Sequence, residues 1–178
     1  LTLRETRSVL QAGGIVDVGR KREATEAINL GKAIGEVQEM VGDRKSWTDL
    51  ARFTAVHRTL LTDVNDYAVG VIRSDGVIIT GAKHQPPDPL KLDSLLQQFS
   101  SKLKDATDIE PIWLATWVHW AIARIHPFSD GNGRTGRILN ILYLIASGLL
   151  ESPILYLSRY IIQNKADYYR KLRNVTEK

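Results

Sequence analysis

Along most of this chain, apolar positions recur among polar ones at the spacing of helices. From Arg22 to Val41, residues Ala27, Ile28, Ala33, Ile34 and Val37 mark one face of a predicted helix, which Gly42 and Asp43 end. Ser46 is placed as an N-cap with Asp49 in the first turn, opening a helix with Leu50, Phe53, Val56, Leu60 and Leu61 on one side. Helices are also predicted from about Leu90 to Leu103, Ile109 to Ile125 and Asn132 to Gly148. Pro153 marks a turn, and Ser158 to Asn174 supplies one or two closing helices. At the start, Leu1 to Leu10 forms a short helix, broken at Gly13-Gly14, with a turn or extended segment to Gly19.

One region has a different rhythm. Between Tyr67 and Thr80, the β-branched runs Val69, Val71, Ile72 and Val77, Ile78, Ile79 flank Ser74-Asp75-Gly76, which predicts a β-hairpin. The stretch Gln85-Pro86-Pro87-Asp88-Pro89 excludes a helix and forms a stiff connector. The expected fold is mainly α, a helical bundle with a small β-hairpin flap, without repeats or linkers. Residues 1–178 form a single domain with its core at about 22–178, after an N-terminal helix and connector at 1–20.

Composition narrows the classes. Apolar residues make up 43% and charged residues 25%, an ordinary globular profile. The richest apolar stretch, Ile138 to Leu150, contains Asn140 and falls short of the roughly 18 residues a membrane span needs. The N-terminus lacks the basic-then-apolar pattern of a secretory signal, and its start at Leu1 suggests a piece of a longer protein. With no cysteine, thiolate zinc sites and a Cys nucleophile are excluded, and a cytoplasmic location is expected. The net charge of +4 is scattered over the chain. It suits a bound polyanion such as a nucleotide, and nucleic acid is not an expected partner.

The segment His126-Pro127-Phe128-Ser129-Asp130-Gly131-Asn132-Gly133-Arg134-Thr135-Gly136-Arg137 lies between the two most apolar helices. Gly131 and Gly133 let backbone N–H groups face a ligand closely, at a helix start whose first donors have no internal partner. Such an end binds phosphate. Arg134 and Arg137 add charged forks, Asp130 a hard oxygen of the kind Mg²⁺ prefers, and His126 a base usable at neutral pH. Together these parts meet the needs of phosphoryl or nucleotidyl transfer. Taken singly, each also has an ordinary reading. A His at a helix end can be a cap, Asp-Gly-Asn-Gly a turn, and two arginines three apart a solvated face. Pro127 ends the preceding helix and Phe128 anchors the loop in either case.

As a combination, the segment resembles the signature of the Fic family, His-Pro-Phe-x-(Asp/Glu)-Gly-Asn-(Gly/Lys)-Arg-x-x-Arg, and matches every specified position. At average residue usage, a chance match is on the order of one in a billion. Leu1-Thr2-Leu3, Glu5-Thr6-Arg7, Glu26-Ala27-Ile28-Asn29, the hairpin, the Pro-rich connector, His119 and Asn164 to Leu172 also resemble family counterparts. The resemblance implies a Fic-type helical bundle that transfers AMP from Mg-ATP to a Tyr, Thr or Ser hydroxyl of a target protein. Auto-AMPylation is expected too. On this implication His126 is the catalytic base and Asp130 holds Mg²⁺. Gly131, Asn132 and Gly133 form the anion hole, with the Asn132 side chain stabilising charge on the α-phosphate. Arg134 and Arg137 grip the outer phosphates. A flap at Ile78, Ile79, Thr80, Gly81, Ala82 and Lys83 pairs with an extended segment of the target.

Two departures accompany the resemblance. An inhibitory helix, Ser/Thr-x-x-x-Glu-(Gly/Asn), precedes a segment like Leu1-Thr2-Leu3 in the similar group, and that motif is not in this sequence. The chain also stops at Lys178, before a usual final helix. The rival activity on the same fold is Doc-like transfer of the γ-phosphate, but the Doc signature resembles Ala-Asn-Lys-Arg where this chain has Gly131-Asn132-Gly133-Arg134. No membrane partner is expected, and a homodimer is left open.

Overall fold

The computed structural model describes residues 21–43, 47–64, 69–80, 84–151 and 157–176. The first expected helix, Leu1 to Leu10, lies outside the described residues, as does Ser46.

Helix α1 (Lys21–Met40) buries Ala24, Asn29, Ala33, Val37 and Met40, a stripe at intervals of three to five residues. Helix α2 (Leu50–Leu61) buries Phe53, Val56, His57, Leu60 and Leu61. Asp49 caps it, its side chain accepting from the Ala51 N–H at 2.8 Å, so the cap stands three residues later than the sequence reading placed it. The two helices are joined by buried Asn29, whose side-chain amide donates to the Thr62 carbonyl at 2.7 Å, one of the acceptors a helix end leaves unpaired.

Asp88 accepts from the Leu90 N–H at 2.9 Å and starts a 3₁₀ turn (Pro89–Lys91) that runs into α3 (Leu92–Asp105). Helix α4 (Pro111–Ile125) begins with proline in its first turn and a Glu110 side chain that caps the Trp113 N–H. After six residues the chain returns as α5 (Asn132–Ala146), and these two helices make the most extensive contact in the fold. Nine residues of α5 are buried, on every side of the helix, which makes it the central element. Leu60, Leu61, Phe99, Val118, Ile122, Leu139 and Leu142 meet in one core. Each such side chain contributes about 1.5–3 kcal/mol when fully buried. Two helices, α6 (Leu157–Gln163) and α7 (Lys165–Thr176), close the chain.

The predicted β-hairpin does not form among the described residues. Residues 71–79 have no ladder of strand hydrogen bonds. Val71 and Ile78 are 53% and 94% exposed, so the β-branched pattern finds no sheet to pack on. The polar groups of this segment bond elsewhere. The Arg73 N–H donates to the Pro127 carbonyl at 2.9 Å, and the Arg73 side chain reaches back to the Asp75 carbonyl at 2.8 Å. The segment is an extended strap tied to the α4–α5 loop.

Candidate active site

The α4–α5 loop owes its shape to residues that the chain brings from four places. His126 caps α4 in the left-handed region (φ 52°, ψ 58°), with its N–H bonded to the Ile122 carbonyl. A side chain with a Cβ adopts this conformation only when its surroundings hold it. Arg73 does so here. Its Nε donates to the His126 carbonyl at 2.7 Å and one terminal nitrogen to the Pro87 carbonyl at 2.7 Å. The guanidinium is buried, and desolvation first of all pushes its pKa below the ordinary arginine value, against the pull of Asp88.

Buried His57, from α2, braces the loop from the other side. Its ring stacks on Phe128 at 3.7 Å between centroids. Its Nε2 donates to the Asp130 carbonyl at 2.9 Å, and its Nδ1 accepts from the Gly70 N–H at 2.9 Å. One neutral tautomer satisfies both bonds. Burial lowers its pKa and keeps that tautomer uncharged.

Asn132 binds the loop to itself. Its side-chain oxygen accepts from the Phe128 N–H at 3.0 Å, and its side-chain nitrogen donates to the Phe128 carbonyl at 2.7 Å. The amide expected to face an α-phosphate thus makes two bonds inside the loop, while Asn132 also lines the cavity. Among the described residues no side chain caps α5, so its first backbone donors are open to a ligand. Gly131 starts the helix in the left-handed region at φ 79°.

His126 is oriented by a bond to its own helix. Its Nδ1 donates to the Ala123 carbonyl at 3.3 Å, which leaves the lone pair on Nε2. Burial is the first cause that lowers its pKa, opposed by the Ala123 bond and reinforced by Arg73 and His84. The neutral ring is the dominant form at neutral pH.

His126, Asn132, Gly133 and Arg137 line one cavity of about 600 Å³, whose walls also include Ile79, Trp120, Tyr168 and Tyr169. Among the described residues, Arg137 has no carboxylate partner. Desolvation lowers its pKa, which marks a cation short of compensation. Arg134 differs: it is 3.1 Å from Glu26 of α1 and 2.9 Å from Asp130. Asp130, Gly131 and Arg134 form a cluster at the edge of the loop and do not line the cavity. Of the expected flap, Ile79 reaches the cavity, Ile78 and Thr80 face solvent, and Gly81, Ala82 and Lys83 lie outside the described residues.

Three contributors escaped the sequence reading. His57 stands on the apolar face of α2, and that position signals burial, but its partner Asp130 is 73 residues away. Arg73 sits inside a β-branched run with nothing to distinguish it. Glu26 carries no local sign of its pairing with Arg134, 108 residues away.

As to magnesium, the carboxylate of Asp130 is part-exposed beside the free helix donors, and no group of three or more His, Asp or Glu gathers among the described residues. One hard carboxylate with room for phosphate oxygens fits the way Mg²⁺ is held by nucleotide-using proteins. No helix among the described residues is long and apolar enough to cross a membrane.

Residues 47–144 match the family model described as "Fic/DOC family". The chain is 33% identical to a protein adenylyltransferase Fic of Aedes aegypti over 83% of this chain and 30% of that protein. It is 30% identical to the Drosophila mojavensis protein of the same name, over 99% of this chain and 34% of that protein. It thus spans about a third of the length of these curated relatives. The fold superimposes on a Fic family protein from Desulfovibrio desulfuricans G20 with a TM-score of 0.80 at 26% identity, over 99% of this chain and 52% of that one. For Fic-1 from C. elegans the TM-score is 0.73 at 26% identity, over 99% of this chain and 55% of that one.

Proposed function

The chain belongs to the Fic/DOC family, and from that premise we propose that it transfers AMP from Mg-ATP to a hydroxyl side chain of a protein, with His126 as general base. The observation that carries this reading is the shared cavity. A neutral imidazole with its lone pair on Nε2, helix donors at Asn132 and Gly133, and at Arg137 a cation without a carboxylate partner among the described residues line the same space. Its volume of about 600 Å³ suits a nucleotide.

In the proposed reaction the acceptor oxygen attacks the α-phosphorus. Its proton passes to His126 Nε2, the bond from the α-phosphorus to the bridging oxygen breaks, and pyrophosphate leaves. The backbone N–H groups at the start of α5 stabilise the charge that develops on the α-phosphate oxygens. Arg137 binds the outer phosphates. Arg134, already placed by Glu26 and Asp130, supplies a second cation at the edge of the loop. The Asn132 side chain serves this chemistry by keeping the loop closed. Asp130 would hold Mg²⁺, which neutralises phosphate charge when bound. The strap residues Ile78 and Ile79, followed by Thr80, Gly81, Ala82 and Lys83, receive an extended segment of the target protein. The exposure of Ile78 supports this part of the reading.

Labelled ATP tests the assignment. Protein-bound label is expected from α-labelled ATP and not from γ-labelled ATP, while label from the γ-position alone would indicate kinase action. In His126→Ala the transfer should fall by about 10²–10⁴-fold with Mg-ATP affinity largely kept. A loss of affinity as large as the loss of rate would remove His126 from the role of base.

A further inference from the structure

We infer that His119 and Tyr168 form a latch that seats α7 on the bundle and thereby builds one wall of the nucleotide cavity. The latch concerns the apo fold, and its consequence for ATP rests on the function proposed above.

His119 lies on the inner face of α4 beside Ala115, Val118 and Ile122, and is only 7% exposed. Its Nε2 is 2.7 Å from the Tyr168 hydroxyl, and the two rings meet edge to face at 5.9 Å. On its other side the imidazole lies against α5 at Gly136, where an added Cβ would stand 3.2 Å from Nδ1. Nδ1 faces this backbone without reaching hydrogen-bond geometry. The ring thus fills the gap between three helices, and its hydrogen bond goes to α7.

That bond is a specific contact between the buried interior of α4 and the half-buried side of α7. Its sequence is strongly polar, and none of its described side chains is fully buried. A short polar helix gains little from apolar burial, so it opens locally at low cost unless a specific contact fixes it. Yet α7 contributes Lys165, Tyr168, Tyr169 and Leu172 to the lining of the cavity. Tyr168 also lies in the electrostatic surroundings of Arg137, the cation assigned to the phosphates. Losing the hydroxyl would loosen the wall and leave a buried imidazole nitrogen unpaired. His119 is accordingly a positioning residue that acts through Tyr168.

Tyr168→Phe in the full chain removes one oxygen and keeps the ring. Amide hydrogen exchange without nucleotide should accelerate on the order of tenfold across residues 165–176 and stay unchanged in α5. Mg-ATP titration should show affinity lower by a similar factor. His119→Gln, which can still bond the hydroxyl, should keep most of the protection of α7, and His119→Leu should lose it. Unchanged exchange in α7 for Tyr168→Phe would overturn the latch. A loosened α7 with unchanged ATP affinity would overturn its part in shaping the cavity. Failure of the parent chain to bind Mg-ATP would count against the proposed function, and the exchange comparison would still decide the latch.

Discussion

Gly131 has two separate reasons to lack a side chain. Its φ of 79° is unfavourable for any residue with a Cβ. An added Cβ would also stand 2.6 Å from Leu61 Cδ1 and 3.2 Å from His57 Nε2. Both are core neighbours with no room to yield. Gly131→Ala is expected to lower stability by about 2–4 kcal/mol, combining backbone strain with overpacking. Denaturant unfolding measures it, and an unchanged midpoint would show that the loop relaxes more freely than its packing suggests. His126 makes the opposite choice, adopting the same backbone region with a full side chain. The strain there is offset by bonds from Arg73, and it turns the imidazole toward the cavity. Both residues were legible in the sequence as chemistry, because the His-Pro-Phe-x-Asp-Gly-Asn-Gly pattern is local. Their backbone conformations were not, since these depend on Leu61, His57 and Arg73.

Between elements, the α4–α5 loop depends on a strap and a helix remote in sequence. Arg73 joins residues 75, 87 and 126 through three carbonyls, and its backbone holds Pro127. The β-branched residues around it predicted a strand, but a strand needs a neighbour to accept its hydrogen bonds. Those bonds went to the α4–α5 loop instead. Arg73→Met keeps much of the apolar stem and removes the guanidinium. It should lower stability by about 2–4 kcal/mol through the carbonyls it leaves unpaired. It should also reduce the rate of AMP transfer by about tenfold or more as His126 loses its anchor. Thermal unfolding and single-turnover kinetics would measure the two effects. Wild-type behaviour in both would reduce Arg73 to a bystander.

At the scale of the molecule, buried His57 of α2, buried His119 of α4 and half-buried His126 of the loop share one property. Burial is the leading cause that lowers the pKa of His57, His119 and His126. A lowered folded pKa means the unfolded chain binds more protons once the pH falls below the ordinary histidine value of about 6.5. The stability these groups confer is present above that pH and is lost as the pH falls toward their folded values. The midpoint of thermal unfolding should therefore be steady between pH 7 and 8 as far as these groups govern it. Below pH 6.5 it should drop by about 3 °C or more per unit. AMP transfer should follow as His126 gains its proton, and a midpoint that rises on acidification would contradict the assignment.

The sequence by itself determined the helices with a strong apolar stripe, the mainly helical fold and the run of chemical groups at residues 126–137. These follow from periodicity and from residues adjacent along the chain. The tertiary structure alone decided that Asp49 opens α2, that the β-branched segment becomes a strap, and that the Asn132 amide bonds Phe128 inside the loop. It also decided that Arg134 pairs with Glu26, 108 residues away, while Arg137 turns to the cavity. The physical reason is the same throughout. A hydrogen bond or an ion pair is chosen by which groups remain unpaired once the helices have packed, and that competition is settled in space.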